Sequence, residues 1–222
     1  MINQIHLYGD SILDNDAYVA QGTSVSHQLL KLDRSRKVKL RAVDGDVTQD
    51  TLRVLHEVVN DLEDTEIGAV LSVGGNDALV LSNMMLAPVD NIAEAFAVLH
   101  EPLEQFRLDY KNVVERLTTL YPVENIRICT IYNKIPAELL TSHLGITAKE
   151  MMALALFNDI ITETAYQYGI KVLDLRVICE APECYSRISP IEPSEEGGRR
   201  IAENIILSFD KEEYEKGFDY VR

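Results

Sequence analysis

The apolar positions along the chain fall into two alternating patterns. Five short runs are nearly continuous in apolar or β-branched residues: Ile2–Tyr8, Val38–Val43, Gly68–Val73, Ile126–Tyr132 and Ile170–Leu175. A strand covered on both faces needs apolar side chains on both, so such runs read as buried parallel strands. Between them the apolar residues recur at helical spacing. Ser26–Arg34 is short, and Gln49–Leu62 carries Leu52, Leu55, Val59 and Leu62. Asn91–Leu120 carries Leu99, Leu103, Phe106, Tyr110, Val113, Leu117 and Leu120. Pro102 is expected to interrupt this long helix or to mark its true start, because proline lacks an N–H and clashes with the preceding turn. Thr147-Ala148-Lys149-Glu150 reads as a capping box opening a helix that runs to about Tyr168, with Gly169 as its stop. Ser194 is placed to cap the last helix, and Glu195 and Glu196 in its first turn suit the helix dipole.

Strands alternating with helices imply right-handed crossovers and a parallel sheet. For five strands the expected order is 2-1-3-4-5, as in flavodoxin-like folds. No internal repeat, low-complexity tract or interdomain linker is visible, so residues 1–222 read as a single α/β domain. Open α/β sheets bind ligands beyond the carboxyl ends of their strands. Two long irregular stretches, Asn133–Ile146 and Val177–Pro193, follow such ends.

Composition narrows the classes. The 222 residues carry 21 Lys+Arg against 36 Asp+Glu, a net charge of −15, with 46% hydrophobic residues. That mix suits a globular protein. The acidic balance and the lack of a basic stripe argue against nucleic acid and against anionic lipid. No apolar run approaches the roughly 20 residues of a membrane span. The first residues show no basic region or cleavage site, and Cys129, Cys179 and Cys184 are sparse and odd in number. A cytoplasmic protein with reduced thiols is the expectation.

Candidate chemistry clusters after the first three strands: Gly9-Asp10-Ser11, then Asp44-Gly45-Asp46, then Gly74-Gly75-Asn76-Asp77. Each is a good turn sequence by itself. Together, at successive strand ends, they make one site. Ser11 supplies a hydroxyl nucleophile. The backbone N–H groups of Ser11 and Gly45 and the Asn76 side-chain amide are three donors suited to an oxyanion. Asp10 is expected to hold the nucleophile loop through backbone N–H groups, and Asp77 to brace Asn76. The other acids near this mouth, Asp14, Asp16, Asp44 and Asp46, read as solvated loop residues. No metal-ligand spacing is present, so neither metal nor cofactor is expected. His6 reads as a sheet residue, and His27, His56 and His100 as surface or packing residues. His143, in the Asn133–Ile146 loop, is the histidine placed to contact substrate.

These blocks resemble the SGNH (GDSL-type) hydrolases. Tyr8-Gly9-Asp10-Ser11 matches the nucleophile block, Gly45 the glycine block and Gly74-Gly75-Asn76-Asp77 the asparagine block. The resemblance implies a three-layer α/β/α sandwich and a serine that attacks an ester or acyl carbonyl, with Ser11, Gly45 and Asn76 as oxyanion donors. The family's fourth block is Asp-x-x-His before the last helix. Here Ser189 stands at the Asp position and Glu192 at the His position, in Ser189-Pro190-Ile191-Glu192-Pro193-Ser194. A glutamate near pKa 4.3 is roughly two units weaker as a base than imidazole, unless burial raises it. Ser189 is expected to orient Glu192. Two readings follow: a serine ester hydrolase for a small neutral acyl ester or acetylated sugar, or a non-catalytic binding protein on the same fold. A third is an interaction protein using the acidic C-terminal segment. Oligomeric state is left open.

Overall fold

The computed structural model describes residues 2–58, 66–84, 88–132 and 148–210. Strands β1 (Gln4–Gly9), β2 (Lys37–Leu40), β3 (Ile67–Ser72), β4 (Ile126–Cys129) and β5 (Lys171–Leu173) form one sheet. Its order is β2-β1-β3-β4-β5 and every pairing is parallel, as expected. The helices are α1 (Val25–Leu32), α2 (Thr48–Glu57), α3 (Gly75–Met84), α4 (Ile92–Leu120), α5 (Ala148–Gln167), the short α6 (Leu175–Ile178) and α7 (Glu195–Phe209).

The three layers follow from the period-two alternation of the central strands. Ile5 and Leu7 of β1, Val70 of β3 and Cys129 of β4 pack with Val25 and Leu29 of α1 and Ile201 and Ile205 of α7. Their neighbours Tyr8, Ala69, Leu71, Ile126 and Ile128 pack on the opposite face with α2, α4 and α5. Two cores thus sandwich the sheet, which is why the central runs look apolar throughout.

The edge strand β2 departs from that expectation. Lys37 and Lys39 alternate with half-buried Val38 and exposed Leu40. Charged residues on an edge discourage pairing with another chain. Beyond β2 the N–H groups of Arg41 and Val43 still donate to Leu7 O (2.8 Å) and Gly9 O (2.9 Å), so the chain keeps following β1 towards the site.

Two helices also differ from the sequence reading. Pro102 lies inside a continuous α4. Its missing hydrogen bond falls in the exposed N-terminal part of that helix, where Ile92 and Phe96 also face solvent and water can satisfy the freed carbonyl. Helix α3 begins at Gly75, within the segment read as a turn, because Gly, Asn and Asp favour helix starts as well as turns. The expected stop of α5 is in place, with Gly169 at φ +66°. Ser194 caps α7 by accepting from Gly197 N–H at 3.1 Å. The proposed Thr147 cap lies outside the described residues. Among the described residues, no helix is long and apolar enough to cross a membrane.

Gly9 determines where β1 delivers its loop. Its φ is +125°, and a Cβ there would sit 1.7 Å from Ser72 O. This contact lets Asp10 N–H donate to Ser72 O at 3.0 Å, binding the start of the loop to β3. Gly9→Ala must therefore strain φ and push two central strands apart. Chemical denaturation should show a loss of roughly 3 kcal/mol or more; a loss under about 1 kcal/mol would contradict the close approach.

Candidate active site

The mouth of the site lies past the carboxyl ends of β1, β2 and β3. Cross-links between the three loops set its shape. Asp44 N–H donates to Asp14 Oδ2 at 3.0 Å, tying the β2 loop to the β1 loop. Tyr18 Oη donates to Asp44 Oδ2 at 2.9 Å. Asn76 Nδ2 donates to Asp46 O at 2.9 Å, tying α3 to the β2 loop. Asp77 Oδ2 accepts from both the N–H and the hydroxyl of Thr48 at 3.0 Å. Asp77 thus anchors the start of α2, which is a different task from the bracing of Asn76 expected from sequence.

Ser11 is buried, at 6% exposure, and Glu192 likewise at 5%. The Ser11 hydroxyl neighbours the Glu192 carboxyl closely enough to favour its ionised form, bringing together two residues that are far apart in sequence. Burial pushes the Glu192 pKa up to about 7; the Ser11 hydroxyl beside it works against the rise and the charge of Asp44 adds to it. The other carboxyl oxygen, Oε2, is buried with no partner among the described residues. Ser189 meets Glu192 through its backbone carbonyl, which accepts from Glu192 N–H at 3.0 Å. Its hydroxyl makes no hydrogen bond to the carboxyl, so the orienting contact expected of Ser189 is replaced by a turn.

Three donors remain available at the mouth. Among the described residues no acceptor takes the backbone N–H of Ser11 or of Gly45. Asn76 Nδ2 uses one proton on Asp46 O and keeps the other. Gly45 has φ +88° and open space where a Cβ would point, which leaves its backbone accessible to a ligand.

Asp10 lies beneath the nucleophile loop, at 2% exposure. Its Oδ1 accepts from Ile12 N–H at 3.1 Å, as the sequence reading expected, and its carboxyl also accepts from Gly75 N–H at the start of α3. Burial nevertheless raises its pKa to about 8, against these bonds and with help from the charges of Glu192 and Asp77.

His6 is buried in β1, with Nδ1 2.7 Å from Tyr121 Oη and Nε2 2.7 Å from Gln4 Nε2. His143 lies outside the described residues. No group of three or more His, Cys, Asp or Glu residues among the described ones is arranged to hold a metal ion.

Two residues at the site carry no motif signal. Asn15 Nδ2 donates to Pro193 O at 3.1 Å, and Tyr132 Oη donates to Ile191 O at 2.7 Å. Asn15 is only four positions past Ser11, which is the one hint in the sequence. Tyr132 ends an apolar run and looks like any core aromatic. A cleft of about 670 Å³ runs beside the Glu192 loop, lined in part by Tyr18, Tyr185, Ser186, Ile188 and Glu195.

No family model and no curated protein sequence matches the chain. Solved structures do. A member of the lipolytic G-D-S-L family from Veillonella parvula DSM 2008 aligns at TM-score 0.66 and 16% identity, covering 94% of this chain and 98% of that one. Phospholipase A1 from Streptomyces albidoflavus NA297 aligns at 0.65 and 17%, covering 94% and 99%. An acetyl xylan esterase aligns at 0.63 and 16%, covering 92% and 98%.

The folded state should register the two raised carboxyls. Between about pH 4 and 8 the unfolded chain has released the Asp10 proton and the folded chain still holds it. Stability must therefore fall as pH rises through that window, with Glu192 adding the same sign up to about pH 7. The slope approaches about 1.4 kcal/mol per pH unit for each group. Urea unfolding at pH 5, 6.5 and 8 should show this decline, and Asp10→Asn should flatten it. An equal slope in Asp10→Asn would contradict a neutral buried Asp10. Sheet order, layers and chain-length alignment agree: the chain has the fold of the GDSL-type (SGNH) hydrolases.

Proposed function

We propose that the chain, as a single domain, is a serine ester hydrolase acting on a small neutral acyl ester or an acetylated sugar. The observation that carries this reading is the burial of Ser11 and Glu192 beside each other, with the Glu192 carboxyl pushed up to a pKa of about 7. In water a glutamate is too weak a base to take a serine proton efficiently near neutral pH. Burial brings this one to the value at which imidazole normally works.

The steps balance without a cofactor. Ionised Glu192 takes the proton of Ser11 Oγ as that oxygen bonds to the ester carbonyl carbon. The carbonyl π electrons move to oxygen, and the N–H groups of Ser11 and Gly45 with Asn76 Nδ2 stabilise the resulting anion. The intermediate collapses, the C–O bond to the alcohol breaks, and Glu192 returns the proton to the departing oxygen. Water then attacks the acyl-Ser11 ester and gives a proton to Glu192. Collapse releases the carboxylic acid and restores the Ser11 hydroxyl with that proton.

The surroundings favour an uncharged substrate. Asp14, Asp44 and Asp46 lie in the loops at the mouth, and among the described residues no Lys or Arg forms an ion pair with them, though the charge of Arg53 reaches Asp46. Their field repels anionic acyl or alcohol groups. The nearness in fold to an acetyl xylan esterase and to a phospholipase supports an ester substrate, and the acidic mouth favours the former kind over a phosphate-bearing one.

Hydrolysis of p-nitrophenyl acetate tests the reading. Ser11→Ala should abolish it, and Glu192→Gln should lower kcat by about 10²–10⁴. Because the ionised carboxyl is the base, wild-type kcat/KM should rise with pH around a midpoint near 7. Equal rates in the wild type and Ser11→Ala would overturn it.

A further inference from the structure

A buried carboxyl with a bare Oε2 has every reason to swing towards water. Among the described residues no side chain makes a hydrogen bond to that oxygen, and the Ser11 hydroxyl is the polar neighbour of the carboxyl. What is held is its main chain. Three consecutive carbonyls are taken: Ile191 O by Tyr132 Oη at 2.7 Å, Glu192 O by Ser186 N–H at 2.9 Å, and Pro193 O by Asn15 Nδ2 at 3.1 Å. Glu192 N–H is also used, on Ser189 O. Pro193 restricts Glu192 to extended backbone, and Tyr185 bridges Pro193 to close the loop.

Two of these donors come from opposite sides of the site. Asn15 is fully buried in the loop after β1, and Tyr132 is buried just beyond β4. We propose that Asn15 and Tyr132 are positioning residues that clamp the backbone on either side of Glu192 and so keep its carboxyl turned inward against Ser11. The clamp does the task that a third, side-chain partner performs when a base is oriented directly. It rests on the reading of Glu192 as the base of the reaction.

The physics favours this division of labour. A side-chain donor to Glu192 itself would stabilise the carboxylate and lower its pKa. A backbone clamp fixes the Cα position and leaves the carboxyl in its desolvated setting. Among the described residues, the titratable groups that face it are Asp10 and Tyr18 of the β1 loop, Asp44 of the β2 loop and Tyr132. None of them is cationic, so only geometry keeps the group inside.

Tyr132→Phe is the cleaner variant. It removes one hydroxyl and keeps the ring edge-on against Tyr185, at 5.1 Å between centroids. Asn15 has a second task, because its Oδ1 accepts from Val25 N–H at the start of α1 at 2.9 Å. The readout is ¹³C NMR titration of glutamate-labelled protein, with the Glu192 resonance identified by its loss in Glu192→Gln. The wild-type midpoint should lie near 7. Tyr132→Phe, and Asn15→Ala as the second variant, should move it by about one unit or more towards 4.5, as the carboxyl reaches water. For p-nitrophenyl acetate, kcat should fall about ten- to a hundredfold with KM within about twofold, and the pH midpoint of kcat/KM should follow the titration. A wild-type midpoint near 4.5, or variants whose midpoint is unchanged and whose activity falls only with the folded fraction, would overturn the clamp. Failure of the hydrolase reading is seen separately, as hydrolysis that survives Ser11→Ala, and the titration then still decides the clamp.

Discussion

The site depends on one act of desolvation: Glu192 is taken out of water and set against the Ser11 hydroxyl. Everything near it serves or suffers that placement. Gly9 brings β1 within backbone contact of β3, so the loop carrying Ser11 starts from a rigid point. The loop from Tyr185 to Pro193 closes on itself, which gives Glu192 a fixed origin without bonding its carboxyl. The charge of Asp44 then adds to the effect of burial and keeps the carboxyl from acting as an ordinary surface acid.

Such an arrangement is stabilised from elsewhere. Asp10, Asp77 and Glu192 all have pKa values raised by burial at one end of the sheet. Each opposes folding near neutral pH, and each is tolerated because two continuous apolar layers flank the sheet. Functional sites commonly break the rules that the rest of a sequence obeys, and here the broken rule is the exposure of carboxylates. The same burial gives the carboxyl its strength as a base, so stability and proposed activity draw on one term with opposite signs.

The fold was legible because period-two and 3.6-residue patterns report burial directly. Ile5, Leu7, Val70 and Leu71 face two cores, so their runs are unmistakable. The beginning of α3 was not, because Gly75, Asn76 and Asp77 carry turn and helix-start signals at once. Ser11, Gly45 and Asn76 could be located since their strand ends could be counted. The pairing of Ser11 with Glu192 came only from the resemblance to the family's fourth block, whereas the rise in the carboxyl's pKa needed its burial. The Ser189 hydroxyl illustrates the limit: the resemblance put it in position to orient Glu192, but the turn it occupies offers its carbonyl. Asn15 and Tyr132 were invisible because a hydrogen bond to a distant main-chain carbonyl leaves no trace in local pattern.

The central claim is that burial makes Glu192 a base for Ser11. Its most direct measurement is the rate at which a fluorophosphonate labels the protein from pH 5 to 9, with the modified residue located by mass spectrometry. Attack by Ser11 Oγ displaces fluoride and needs the serine proton removed, so the rate reports the ionised base. The account predicts labelling at Ser11 whose rate rises with pH around a midpoint near 7. Labelling at another residue, or a rate at Ser11 that follows hydroxide with no midpoint in that range, would contradict it.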